Sequence, residues 1–174
     1  SWENGFGPLS EIEVFGTATG GGTGYDNWAS DSGGNFSGVL TNSDPSVDFD
    51  LGGLQTGIEY VAGTDPTDGS DDAAAAPTVD TDGTYLIYTF LRSDTAAADA
   101  GTTIKVEYGS DLSSWTEAQD GVDGVIVTEF DDAGGTGIDG AGVDLVEYKI
   151  PKALAVGGKL FARLHVLTSW TPTP

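Results

Sequence analysis

Thr84-Tyr-Leu-Ile-Tyr-Thr-Phe-Leu91 is the stretch that decides the fold class. It is built from aromatic, aliphatic and β-branched residues, without glycine, proline or charge. Apolar side chains fall on both alternating sets, so the segment reads as a central strand covered on both faces. Downstream the same signal recurs with cleaner alternation. In Thr102–Tyr108, Ile104, Val106 and Tyr108 point one way, and Lys105 and Glu107 the other. Val143–Ile150 sets Val146, Tyr148 and Ile150 against Glu147 and Lys149, and Lys159–Thr168 places Leu160, Ala162, Leu164 and Val166 on one face. Val125–Phe130 is β-branched, and Asp111–Trp115 opens a turn and a short strand. Strands parted by Gly- and Asp-rich turns predict an all-β protein, an antiparallel β-sandwich of jelly-roll-like form.

Upstream, Pro8–Phe15 alternates as an edge or half-buried strand, with Ser10, Ile12 and Val14 on one face and Leu9, Glu11, Glu13 and Phe15 on the other. Gly16–Gly24 holds five glycines in nine residues. It reads as a flexible tether spanning about 15–18 Å on average and about 30 Å at full stretch. Tyr25–Val39 is expected to be turn-rich, with one short strand near Phe36–Leu40. Leu54–Ala62 suits a short helix, which Gly63 ends and Asp65-Pro66 prevents from continuing. Thr67–Asp82 reads as a linker in which Ala73–Ala76 makes a helical turn closed by Pro77. The expected organisation is an N-terminal strand and tether over 1–24, the sandwich over 25–168 with an acidic loop at 44–66, and an extended tail over 169–174.

The 174 residues carry 28 acids against six bases, a formal net charge of -22. Nucleic acid and anionic membrane surfaces are poor partners for such a surface, whereas cations are favoured. The hydrophobic share of 38% is enough for a packed core. Absence of cysteine rules out disulfides, thiol chemistry and Cys-ligated zinc. No apolar run approaches the roughly 18 residues of a membrane span. Methionine is absent even at position 1, which fits a removed leader or a piece of a longer chain. The 27 glycines, with Asp, Thr and Ser loops, suit a secreted β protein.

The most specific motif lies at Asp48–Glu59. A calcium loop of the EF-hand type places oxygen donors at positions 1, 3 and 5, glycine at 6, a backbone carbonyl at 7 and a glutamate at 12. Counting from Asp48 puts Asp50 at 3, Gly52 at 5, Gly53 at 6, Leu54 at 7 and Glu59 at 12. Gly52 replaces the expected carboxylate. A backbone carbonyl, a water or a nearby acid such as Asp44 or Asp65 must then complete the shell, with affinity weakened towards about 10⁻⁴–10⁻³ M. In a chain this acidic the Asp-x-Asp spacing also arises by chance. The following acids, Asp65-Pro-Thr-Asp-Gly-Ser-Asp-Asp72, could bind another ion but read more simply as solvated loop; Asp131-Asp132 and Asp139–Asp144 read the same way.

The segment Asp44-Pro-Ser-Val-Asp-Phe-Asp-Leu-Gly-Gly-Leu-Gln-Thr-Gly-Ile-Glu-Tyr-Val-Ala-Gly-Thr-Asp-Pro66 resembles the calcium-loop segments of large bacterial surface and secreted proteins, which are related to thrombospondin type 3 and dockerin loops. In those proteins a β-rich module with a Tyr-x-Val-Glu strand and an "SSDL-x-x-W" turn often follows. Ile104–Tyr108 and Gly109–Trp115 are the corresponding pieces here, and the resemblance covers roughly residues 25–167. It implies Ca2+ as the bound ion and an extracellular or cell-surface setting, and it implies no catalytic activity.

A search for catalytic patterns agrees with a non-enzyme. His165 is the single histidine. It stands beside Arg163 on the last strand, with no Gly-x-Ser-x-Gly elbow and no phosphate-cradling loop in the chain. Acid pairs carry no information where acids are so many. Asn35-Phe-Ser37 is a formal glycosylation sequon. Two functional readings result. One is a structural subunit of a surface layer, stalk or filament, partnered with copies of itself. Its N-terminal strand, with Leu9, Ile12, Val14 and Phe15 as assembly residues, pairs either within its own domain or with a neighbour by strand addition. The alternative is a carbohydrate-binding or adhesive module using some of Trp2, Trp28, Trp115 and Trp170 to stack on a glycan, although Trp28 and Trp115 also suit a core and Trp2 and Trp170 mobile ends.

Overall fold

A computed structural model describes residues 13–18, 24–30, 36 and 39–171, the first of these segments by its backbone alone. The Thr84–Leu91 stretch forms β3 (Tyr85–Ser93), which lies inside a sheet between β2 (Thr78–Thr81) and β7 (Gly142–Pro151), with β6 (Ile126–Thr136) at the far edge. All three pairings in this sheet are antiparallel. One set of β3 side chains, Leu86, Tyr88 and Phe90, is buried. The other set is only half covered, so the expected burial of both faces is met on one side and relaxed on the other.

The second sheet runs β1 (Glu13–Ala18), β8 (Phe161–Trp170), β4 (Thr102–Gly109), β5 (Thr116–Glu117). β8 and β4 are antiparallel, with Val166 opposite Ile104 and Leu164 opposite Val106. β1 pairs with β8 in parallel, Val14 beside Val166 and Phe15 beside Leu167. The period-two faces expected from sequence turn to the core, with Ile104 and Tyr148 only partly buried against it. Val106, Leu160, Ala162, Leu164 and Val166 share one core with Leu86, Tyr88, Phe90, Val146 and Ile150 of the first sheet. Burying a side chain such as Leu164 stabilises the fold by about 1.5–3 kcal/mol. The molecule is thus mostly β, two sheets about a common core, an arrangement compatible with a β-sandwich.

Among the described residues four short helices join the sheets: α1 (Gly24–Ser30), α2 (Thr56–Ala62), α3 (Asp72–Ala75) and α4 (Asp94–Ala98), with a 3-10 turn at Lys152–Leu154. Every residue of α2 is buried. The helix stops where Gly63, at φ 78°, donates its N–H to the Glu59 carbonyl at 2.7 Å. That left-handed turn is the C-terminal signal read from the sequence. Ser93 caps α4, accepting from the Ala96 N–H at 3.1 Å, and donates to the Tyr60 carbonyl at 3.0 Å. One hydroxyl therefore ties α2 to the end of β3. Tyr60 also meets Tyr25 and Trp28 at ring-centroid distances of 5.3 and 5.1 Å, and Phe36 packs edge-on against Trp28 at 5.2 Å.

Several boundaries differ from expectation, each for a non-local reason. Strand β1 runs to Ala18 and helix α1 starts at Gly24, so both ends of the expected tether are ordered elements. The start of α1 is held by the Asp99 carboxylate, which accepts from the N–H groups of Gly24 and Tyr25 at 3.3 and 3.1 Å, a partner some 75 residues away. Val39 and Leu40 turn back with their N–H groups on the Phe36 carbonyl at 2.8 and 3.1 Å rather than extending as a strand. β2 lies within the stretch expected to be linker, recruited by pairing with β3. β6 continues past Phe130 through an irregularity to Thr136, and β8 reaches Trp170, which packs on the core instead of fraying. Residues 8–12 of the expected first strand, Leu9 and Ile12 among them, lie outside the described residues, as do Asn35 and Trp2.

Candidate metal centre

Three elements bring five carboxylates together. The 44–54 loop supplies Asp48 and Asp50, α2 supplies Glu59 from its middle, and the start of α3 supplies Asp71 and Asp72. Asp48, Asp50 and Asp72 have oxygens within 4.8 Å of one another, and so have Glu59, Asp71 and Asp72. Glu59 is fully buried, and Asp72 is 1% exposed.

The hydrogen bonds leave a pattern. Asp48 accepts from the Gly53 N–H at 3.1 Å through Oδ2, and Asp50 accepts from the Gly52 N–H at 2.9 Å through Oδ1. Asp72 accepts from the Leu54 N–H at 2.7 Å through Oδ2, and Asp71 accepts from the Asp65 N–H at 3.1 Å through Oδ2. Each aspartate thus uses one oxygen to shape the loop. The other oxygen, Asp48 Oδ1, Asp50 Oδ2, Asp71 Oδ1 or Asp72 Oδ1, is buried without a hydrogen-bond partner, and so are both oxygens of Glu59. A buried carboxylate with no donor is costly. Burial foremost, then the charges of Asp50, Asp72, Asp71 and Asp48, pushes the Glu59 carboxyl up to about 9. Burial likewise raises Asp71 and Asp72 above the ordinary carboxylate range, against the lowering effect of the N–H each accepts. A cation is the partner such oxygens lack. An all-oxygen anionic donor set suits a hard divalent ion, and the glutamate with two open oxygens has the form of a bidentate ligand.

Gly52 is explained by Asp72. A Cβ at position 52 would stand 2.4 Å from Asp72 Oδ2 and 2.5 Å from the Gly69 Cα. The carboxylate missing from position 5 is replaced in space by one twenty positions further along, which occupies the room a side chain there would need. Of the residues singled out from sequence, Asp48, Asp50 and Glu59 are in the cluster. Gly52 and Leu54 face it through N–H groups on Asp50 and Asp72. Asp44 and Asp65 lie outside both groups: each holds a local turn, Asp44 on the Ser46 N–H and hydroxyl at 2.9 and 2.7 Å, Asp65 on those of Thr67 at 3.0 and 2.7 Å. Asp71 and Asp72 end the Asp65–Asp72 run, which reads from sequence as solvated loop; the structure corrects this, burying Asp72 and bringing both acids into the cluster as α3 packs against α2. Their signals in the sequence are the acid run itself and the empty fifth position, which demanded a donor from elsewhere.

No family model matches this chain, and comparison with curated proteins and with solved structures finds no match.

A third acidic group, Asp131, Asp132 and Asp144, differs in kind. Asp144 accepts from Arg92 at 2.9 Å and from the Asp132 N–H at 3.2 Å, so a guanidinium already compensates it. On the outer face of the β4–β8 pair, Arg163 lies 4.3 Å over the Trp115 ring and 2.8 Å from Glu107, whose other oxygen is 3.3 Å from His165 Nδ1. Glu107 and Arg163 are a cross-strand pair, and Arg163 is buried.

Proposed function

We propose that this chain is a non-catalytic extracellular module, stabilised by Ca2+, that serves as a subunit of a surface layer, stalk or filament. The observation that carries the calcium reading is Glu59, fully buried with both oxygens unpartnered and facing four aspartates. The likeness of 44–66 to thrombospondin type 3 and dockerin loops supports calcium as the ion, and such a loop fits an extracellular setting, where calcium is plentiful. The jelly-roll-like reading rests on the connections β3–β4, β5–β6 and β7–β8, each of which crosses from one sheet to the other. The assembly reading rests on β1, an N-terminal strand at a sheet edge that pairs with β8 in parallel. In a filament the same edge of β8 would accept the segment of a neighbouring copy.

Thermal unfolding with calcium and with chelator, followed together with particle size, tests both parts. Saturation at 100 times the dissociation constant adds about 2.7 kcal/mol. A calcium-dependent rise in Tm supports the loop, and its absence refutes it. Large particles that disappear when residues 1–16 are deleted support strand donation; particles that survive the deletion refute it.

A further inference from the structure

We propose that the centre takes two divalent cations, one held by Asp48 and Asp50, one by Glu59 and Asp71, with Asp72 shared between them. The inference rests on the calcium reading above and extends it from one loop to a paired site that includes the α3 carboxylates.

Geometry supplies the first reason. Calcium binds oxygen at about 2.3–2.6 Å, so two oxygens on one ion lie no more than about 5 Å apart. The five carboxylates fall into two groups, each spanning no more than 4.8 Å, and Asp72 is the one residue common to both. A single ion at Asp48 and Asp50 would leave Glu59 and Asp71 in the other group. Those two hold three of the unpartnered buried oxygens: both on Glu59 and Oδ1 on Asp71.

Charge supplies the second. Five carboxylates converge here, and among the described residues no lysine or arginine forms an ion pair with any of them. One divalent ion leaves three negative charges uncompensated around a fully buried glutamate; a second leaves one. Desolvated like charges are strongly unfavourable at such separations.

The oxygens that remain open supply the third. Asp48 Oδ1, Asp50 Oδ2 and Asp72 Oδ1 are open on residues of the first group, and Glu59 Oε1, Glu59 Oε2 and Asp71 Oδ1 on residues of the second, with Asp72 common to both groups. Each ion therefore meets at least three anionic oxygens. Backbone carbonyls and water complete a shell of six to eight.

The test is a calcium titration of the full chain by isothermal calorimetry at physiological salt, with native mass spectrometry to count bound ions. Wild type is expected to hold two. Asp71→Asn keeps an oxygen for the Asp65 N–H but removes a charge from the second group alone, and is expected to hold one. Asp48→Asn does the same for the first group and is also expected to hold one, with its Gly53 contact retained. A wild-type count of one overturns the paired site while leaving the calcium reading intact, and so does an Asp71→Asn count equal to wild type. A wild-type count of zero refutes the calcium reading itself. Circular dichroism of both variants in chelator confirms that each count is made on folded protein.

Discussion

Restoring the motif should damage the site. Gly52→Asp places a carboxylate at the fifth loop position, where a calcium loop ordinarily has one. A reading of the loop alone therefore anticipates tighter binding. The structure anticipates the reverse. The φ of Gly52 is not left-handed, so the obstacle is space rather than backbone conformation. Its Cβ would meet Asp72 Oδ2 at 2.4 Å and the Gly69 Cα at 2.5 Å. Normal carbon contacts lie near 3.5–4.0 Å, so the two loops must part by about 1 Å. Overpacking of this kind costs about 1–3 kcal/mol. Moving Asp72 also strains its charged hydrogen bond to the Leu54 N–H, now 2.7 Å, a bond type worth about 1.5–3 kcal/mol. If the loops open only when the ion binds, a cost of 1–3 kcal/mol weakens calcium about 5- to 150-fold. If they are already open in the metal-free protein, the same cost appears as lost stability in chelator. Urea denaturation with and without calcium separates the two cases. Gly52→Asp that is as stable as wild type in chelator and binds calcium as tightly or more tightly would refute the placement of Asp72 beside Gly52.

The metal-free protein should be alkali-sensitive through Glu59. Its carboxyl is raised from 4.5 to about 9, so the stability it permits is full below about 4.5 and is lost as pH rises toward 9. Glu59→Gln removes that dependence and raises stability in chelator at pH 7 by an amount on the order of 3 kcal/mol, at about 1.4 kcal/mol per pH unit. The same variant should abolish most of the calcium-induced rise in Tm; melting curves across pH 5–9 with and without calcium check both. Ser93→Ala strips the α4 cap and leaves the buried Tyr60 carbonyl without its donor, for a loss of about 1–3 kcal/mol by urea denaturation. Leu164→Ala opens a cavity between the two sheets and should cost about 2–5 kcal/mol in the same assay, with calcium affinity unchanged while the fold persists.

The β elements were legible where a period of two ran unbroken. In Lys159–Thr168 each inward residue is buried, because an antiparallel partner leaves one face for the core and one for solvent. Helix α2 was legible from Leu54 to Gly63 for the same kind of reason, an apolar stripe followed by a residue that tolerates a left-handed turn. What escaped was structure made by distant partners. Helix α1 begins on a carboxylate from Asp99, and β2 is a four-residue edge strand that exists because β3 offers it a ladder. The candidate site divided along the same line. Asp48, Asp50 and Glu59 follow from loop spacing. Asp71 and Asp72 do not, since α3 brings them back across α2 from outside any twelve-residue window.

The parallel pairing of β1 with β8 bears on how the molecule would carry load. Glu13 lies opposite His165 and Ala18 opposite Trp170, so the chain enters the ladder at one end and leaves it at the other. Pulling on the two ends slides these strands lengthwise past each other. The ladder bonds then share the force and must fail together rather than opening one at a time from a corner. A tensile pull on this module therefore meets a shear joint, with the first and last described strands as its two faces.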